Sequence, residues 1–312
     1  MDGSGSGTGY DEAFERHRPV LLGLAYRMLG SWWDAEDVVQ EAWLRRRRAA
    51  EDPAGAPIED LRGWLVTVTT RLALDQLRSA RHRRETYVGP WMPEPVPTGR
   101  LALDPADSAE QRSTVSVATL RMMERLSPPE RAVYILREAF ELPYQDIAAT
   151  LDISAASARQ LHRRAAAHLD GDRARFTVDR REHLDLVDRF VAAAASGDRA
   201  GLESLLAHEV VLWNDGGGFR AARRPVLGPD KVARFLLGVL DKHKSTRAYR
   251  VDVNGAPAVL FDFGAIRMVL SFETRGGNIV GLQAVINPDK VRNIATPSEA
   301  PCFTRESRRF PA

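Results

Sequence analysis

Cysteine is nearly absent from this chain. Cys302 stands alone in 312 residues, which excludes an internal disulfide and any zinc site built from several cysteines. No apolar run approaches the roughly 20 residues that cross a bilayer, so no membrane span is expected. The opening MDGSGSGTGY has neither the basic start nor the apolar centre of a secretory signal, and a cytoplasmic location is the expectation. Lysine is missing up to about Phe176: all four lysines (Lys231, Lys242, Lys244 and Lys290) lie in the C-terminal part. A domain boundary near residue 176 is the simplest account of that shift. Nothing in the chain calls for a metal or a cofactor.

What is present is a globular composition, 44% hydrophobic and 28% charged, with length for two or three domains. The net charge of +2 says little, but the arginines cluster at 45–48, 78–84 and 159–164. Apolar spacing predicts helices from Phe14 to Gly30, from about Asp34 to Ala50, and from about Asp60 into the basic cluster Arg78, Arg81, His82, Arg83, Arg84. In the second, Val38, Val39, Ala42 and Trp43 form the inward stripe, leaving Asp37, Gln40, Glu41 and Leu44 more exposed. In the third, Trp64 near basic groups has two readings. It is a core residue, or a ring on which an unpaired base stacks while arginines hold the backbone.

Residues 86–114 are too rich in Pro and Gly for regular structure. Tyr87, Trp91 and Met92 are unusually apolar for a passive linker and are expected to dock on something. Beyond it, Ser127, Pro128 and Glu130 make a helix start. The stretch Pro143 to Leu169 then reads as two short helices about a turn at Asp152-Ile153, with Ser154 as N-cap. Ala158, Leu161, Ala165 and Leu169 face inward, leaving Arg159, Gln160, Arg163 and Arg164 outside. Such a pair is either a helix-turn-helix that sets its second helix in a major groove or an ordinary helical hairpin.

In this order, DAEDVVQEAWLR (34–45), LRGWLVTVTTRLALDQLRS (61–79) and LSPPERAVYILREAFELPYQDIAATLDISAASARQLHRRA (126–165) resemble the bacterial sigma factors of the extracytoplasmic-function type. The resemblance implies RNA polymerase core and promoter DNA as partners. It places Asp37, Gln40, Glu41 and Leu44 on the polymerase, and Trp64, Arg71, Asp75, Arg78, Arg81, Arg83 and Arg84 at the −10 element. Ser157, Arg159, Gln160, Arg163 and Arg164 fall on the helix that reads the −35 element. The family often has Asn where this chain has Arg71, so the details of −10 base reading are not carried over.

From Arg180 the pattern changes to helix, shorter helix, a strand HEVVLWNDGGG, another helix, and three strand-like runs: YRVDVN, AVLFDFGAIRMVLSFE and NIVGLQAVIN. Helices followed by an antiparallel sheet imply an α+β domain. The order is similar to the SnoaL-like family, a curved sheet forming a cone with an internal pocket. A subgroup of these sigma factors carries such a domain, and its marks are YVGPWMPEP (87–95), WNDGGGFRAARRP (213–225) and NPDK (287–290). The resemblance implies that the fused domain regulates the sigma modules through Asp215, Gly216, Gly217, Gly218, Asn287, Pro288, Asp289 and Lys290, with no separate anti-sigma protein required. A small-molecule ligand in the cone is a further expectation.

The expected architecture is therefore multi-domain. Two all-α sigma domains at 10–85 and 115–172, the second with the helix-turn-helix, flank the linker 86–114. An α+β SnoaL-like cone-shaped barrel follows at 180–292, then a polar tail at 293–312. Catalysis is not expected. Asp215, Asp262 and His208 would be its candidates, but His208 reads as the end of a helix, and Cys302 reads as incidental. The alternatives are a polymerase-independent helix-turn-helix regulator with a ligand-binding domain, and a SnoaL-like enzyme with a helical appendage.

Overall fold

A computed structural model describes the backbone of residues 5–52, 57–85, 87–101, 114–173, 180–218, 221–243 and 245–306. The side chains of 5–11, 80–85, 170–173, 245 and 305–306 lie outside that description. The chain divides into two compact units: residues 1–85, 99–115 and 122–169 form the first, and residues 86–98, 116–121 and 170–312 the second.

The first unit is helical. Helix α1 (Gly5–Leu29) begins well before the expected Phe14 and closes at Gly30, whose φ of 67° suits a residue without Cβ. Helix α2 (Trp32–Glu51) starts two residues earlier than its periodicity suggested, because Ser31 is the N-cap and its Oγ accepts the Asp34 amide at 3.3 Å. Helix α3 (Leu61–Glu85) completes the bundle; its Leu65, Ala73 and Leu77 are buried, as are Leu24 and Met28 of α1 and Val39 of α2. Trp43, expected inside, is half-buried with Arg47 over its ring; Trp32 and Ala35 take the inner positions.

Four further helices follow along the chain: α4 (Val117–Met123), most of which belongs to the second unit, then α5 (Pro128–Glu138), α6 (Tyr144–Leu151) and α7 (Ala155–Arg173). Glu130 accepts both the Ser127 amide (3.0 Å) and its hydroxyl (2.7 Å) at the start of α5. Asp152 turns the chain with φ 55°, and Ser154 caps α7 by accepting the Ser157 amide at 3.1 Å.

This unit joins the early helices to the later ones through buried arginine. The Arg131 guanidinium donates twice to the carbonyl of Arg27, at 3.2 and 3.0 Å, and pairs with Glu124. Arg27 in turn donates to Thr114 at 2.8 Å.

The second unit is α+β. Helices α8 (Arg180–Ser196), α9 (Arg199–Leu205) and α10 (Pro229–Lys242) belong with a seven-stranded sheet in the order β2-β1-β6-β5-β4-β3-β7. Its strands are β1 (Leu206–Asp215), β2 (Val226–Leu227), β3 (Ser245–Val253), β4 (Ala256–Asp262), β5 (Arg267–Arg275), β6 (Asn278–Val285) and β7 (Phe303–Glu306). A one-turn helix, α11 (Pro288–Val291), follows β6. One face of the sheet packs Leu212, Phe261, Leu270 and Leu282 on Leu186, Phe190 and Leu236 of the helices. The other face is lined by Leu260, Val269 and Val285 and covered by Met92, Val291 and Ile294. Helices on one side of a curled sheet give the fold class expected of a SnoaL-like cone.

Four details differ from expectation. The sheet is mixed, since the crossover through α10 and the β3–β6 meander bring β6 back parallel to β1. The run from Ala258 to Glu273 is two strands, turned where Gly264 has φ 86° and the Phe263 amide donates to Ile266. His208 lies exposed in β1 and ends no helix. Part of the supposed polar tail is structural: β7 pairs with β3, and Arg267 donates to the Ile294 carbonyl at 2.8 Å.

Candidate nucleic-acid and polymerase interfaces

The polar stripe of α2 exists as spacing demands. Asp37 and Gln40 are exposed and Glu41 and Leu44 half-exposed, at i, i+3, i+4 and i+7 along one face. Glu41 is held by Arg45 at 3.1 Å. Trp33, one turn before Asp37, is 40% exposed, and this large ring was absent from the sequence-based set.

On α3, Trp64, Arg71, Asp75 and Arg78 also share a face. Trp64 is half-buried, between its two readings, and Asp75 pairs with Arg78 at 3.2 Å. Arg71 donates to the carbonyls of Thr150 (2.9 Å) and Ala149 (3.3 Å), and Thr67 meets the Thr150 hydroxyl at 3.2 Å. A guanidinium at the end of α6 neutralises the negative end of its dipole while satisfying carbonyls the helix leaves open. The side chains of Arg81, Arg83 and Arg84 lie outside the described residues.

Helix α7 presents Ser157, Arg159, Gln160, Arg163 and Arg164 exposed, with Ala158, Ala165 and Leu169 buried behind them. Their settings differ. The Ser157 hydroxyl meets that of Ser154 at 2.9 Å in the cap, Arg159 stands over Tyr144, and Arg164 leans back to Glu130 at 3.6 Å. Burial opposes ionisation of Glu130, but the two bonds from Ser127 and the charge of Arg164 outweigh it and lower its pKa. His162 fixes the helix from behind, between the Tyr144 hydroxyl (3.0 Å) and Glu138 (2.9 Å).

The three marks outside the helices converge within the second unit. Asp215, fully buried, receives the Met92 amide (2.8 Å), the Lys290 ammonium (2.7 Å), the Gly217 amide (3.2 Å) and the Tyr87 hydroxyl. Burial, then the hydrogen bond and charge of Asp215, push the Tyr87 pKa far up, so Tyr87 stays a donor. Asn287 donates to the same hydroxyl at 2.9 Å. Gly217, at φ 58°, has no room for a Cβ, which would sit 2.4 Å from the Asn287 amide. Lys290 also reaches the Met92 carbonyl and lies 4.2 Å over the Trp91 ring. Pro288, Asp289 and Gly218 are exposed and Gly216 is buried; Lys290 pairs with Asp215, and Asp289 takes no part in that charge pair.

The segment from Tyr87 to Thr98 is fixed along its length. Val96 exchanges backbone and side-chain bonds with Asn254 (2.9 and 3.0 Å), Asn293 donates to Glu94 at 2.8 Å, and Thr98 accepts the Gly255 amide at 3.1 Å. Helix α4 is held too, through its last turn. The Arg121 guanidinium lies 3.7 Å over the Trp213 ring and pairs at 3.0 Å with buried Glu273, which Gln283 also contacts. Sequence reading missed Arg121; its one signal was a lone Glu in the apolar strand VLSFE.

The catalytic candidates do not converge. Asp215 is engaged as above, Asp262 faces Arg247 at 3.5 Å, and His208 is exposed elsewhere on β1. Cys302 donates to the Ala248 carbonyl, and burial raises its pKa, the opposite of an activated thiol.

Helices with a polar stripe, a helix-turn-helix with an arginine face, and a cone-shaped domain grasping the segment that links them define a sigma-type transcription factor. Residues 13–83 match Sigma-70 region 2 and residues 116–169 match Sigma-70, region 4. The chain is 38% identical over 293 residues to the ECF RNA polymerase sigma factor SigJ of Mycobacterium tuberculosis, covering 89% of this chain and 91% of that one. It is 37% identical over 280 residues to that organism's probable ECF RNA polymerase sigma factor SigI, covering 88% and 92%. The crystal structure of M. tuberculosis SigJ superposes with a TM-score of 0.71 at 34% identity, over 90% of this chain and 98% of that one. The chain belongs to the ECF RNA polymerase sigma factors. Among the described residues no helix is long and apolar enough to cross a membrane.

Proposed function

We propose that this chain directs the RNA polymerase core to specific promoters and that its C-terminal domain regulates that activity from within the same chain, in the cytoplasm. Asp37, Gln40, Glu41 and Leu44 contact polymerase. Trp64, Arg71, Asp75, Arg78, Arg81, Arg83 and Arg84 serve the −10 element, and Ser157, Arg159, Gln160, Arg163 and Arg164 the −35 element. Functional domains at 10–85, 115–172 and 180–292 carry these tasks. The observation that carries the regulatory reading is the capture of residues 87–98 around Asp215 and of Arg121 on Trp213 and Glu273. Residues 87–98 belong to the segment between the −10 and −35 modules and Arg121 stands near the start of the −35 module, so whatever holds or releases them sets the freedom of one module relative to the other. A separate anti-sigma protein is then not required. The domain acts without catalysis: its candidate acid and base groups are scattered or already paired.

Two substitutions separate the surfaces. Asp37→Ala weakens capture of core polymerase in a pull-down and leaves duplex binding intact, whereas Arg163→Ala weakens duplex binding by about 1–3 kcal/mol. The same defect from both would overturn the two-surface assignment, and full duplex affinity with no polymerase capture by the unaltered chain would favour a polymerase-independent regulator.

A further inference from the structure

The concave side of the sheet encloses a cavity of about 720 Å³, the size that takes a drug-like molecule. Phe190, Phe235, Phe261 and Met268 are among the side chains that make it apolar. Exposed Ile266 and Lys242 also line it and so mark its mouth, where His243 stacks on Phe263 at 4.2 Å. Among the described residues no carboxylate lines it.

One wall residue is out of place in that company. Asn214, on the β1 face opposite to Asp215, is 1% exposed, and among the described residues its buried Nδ2 has no hydrogen-bond partner. An orphaned buried amide is destabilising, and an apolar side chain of the same shape would avoid that cost. A donor held in an otherwise apolar cavity has a use when an acceptor arrives with a ligand. A site built so discriminates strongly against molecules that lack the acceptor.

We propose that this cavity binds a neutral, largely apolar small molecule whose carbonyl-type oxygen accepts a hydrogen bond from Asn214 Nδ2. Net charge is not asked for, because the interior is apolar and Lys242, the charged residue among its described lining, is exposed at the mouth. In this reading the molecule is held as a signal. This deepens the reading of residues 180–292 as a regulatory module, since β1 carries Asn214 on one face and Asp215, which holds the linker, on the other.

The test uses the full chain without polymerase or DNA, so that its failure is distinct from a failure of transcriptional regulation. The probe is prodan, a neutral naphthalene ketone whose emission shifts to the blue in apolar surroundings; 2-(dimethylamino)naphthalene, which lacks the carbonyl, is the control. The expected result is saturable one-site binding of prodan, weakened about tenfold by Asn214→Leu, with the control compound's affinity unchanged. Asn214→Leu also raises the melting temperature of the free protein, as loss of an orphaned amide requires. Val239→Trp, which fills the cavity from α10, or Val239→Phe should the larger ring prevent folding, abolishes binding of both compounds. Absence of saturable prodan binding, its survival in the filled variant, or an equal effect of Asn214→Leu on both compounds would overturn the proposal.

Discussion

Lys290 and Asp215 meet at 2.7 Å although 75 residues separate them, and the segment carrying Tyr87 and Met92 is bound by the same two side chains. Asp215 is fully buried, so its charge depends on the donors around it. Lys290→Met removes the cation and is expected to cost about 3–5 kcal/mol, the penalty of leaving a buried charge uncompensated. Urea unfolding measures the loss, and faster amide exchange across residues 87–98 locates it.

Gly217→Ala tests the same knot from the backbone. It forces a Cβ into the space of the Asn287 amide and strains a left-handed conformation. The expected result is destabilisation of about 1–3 kcal/mol with loss of protection at Tyr87, read by hydrogen exchange. Gly218→Ala shares the positive φ but meets nothing nearby, so it destabilises less.

Arg71 holds the C-terminus of α6 through two carbonyls. Because the side chain is largely exposed, Arg71→Ala is expected to lower stability by only about 1 kcal/mol. Amide exchange in α6 should accelerate while α1 and α2 are unaffected. Arg71→Lys keeps the charge but loses the fork, and it should fall between the two.

Acid should affect the two units at different pH. Burial lowers the pKa of His183, which meets the Pro257 carbonyl at 3.2 Å. The unfolded chain therefore takes up that proton first, and stability falls as pH drops below about 6.5, levelling off below the depressed folded value. Glu130 in the helical unit is also depressed, so its contribution is complete above about 4.5 and is lost as pH falls through its lowered value. Unfolding midpoints followed across pH 7 to 4 should show the second unit weakening first. His183→Gln should flatten that part of the profile.

The helices were legible because each carries local punctuation: Ser127 with Glu130, Ser154 after Asp152, Gly30 after α1. The hairpin at Gly276-Gly277 carries punctuation of the same kind, with both residues at positive φ. Asn254-Gly255 is an equally good turn signal between β3 and β4. What escaped was non-local. That β6 runs parallel to β1, that β7 completes the sheet, and that Arg121 lies on Trp213 all depend on partners far along the chain. The convergence of Tyr87, Asp215, Asn287 and Lys290 was foreshadowed as motifs, but nothing local reveals that one carboxylate receives four donors. Asn214 was invisible, since an amide is an orphan only once its surroundings are known.

This chain starts transcription at particular promoters, and we propose that its captured linker controls how well it does so. The direct measurement is transcription in vitro by core polymerase on a promoter library, comparing the full chain, Asp215→Ala and a chain ending at about residue 175. The expected result is transcripts with fixed start points that require the chain, and an output changed by Asp215→Ala while core polymerase is bound equally well. Start points identical to those of core polymerase alone would contradict it, and so would unchanged output from both the Asp215 variant and the truncated chain.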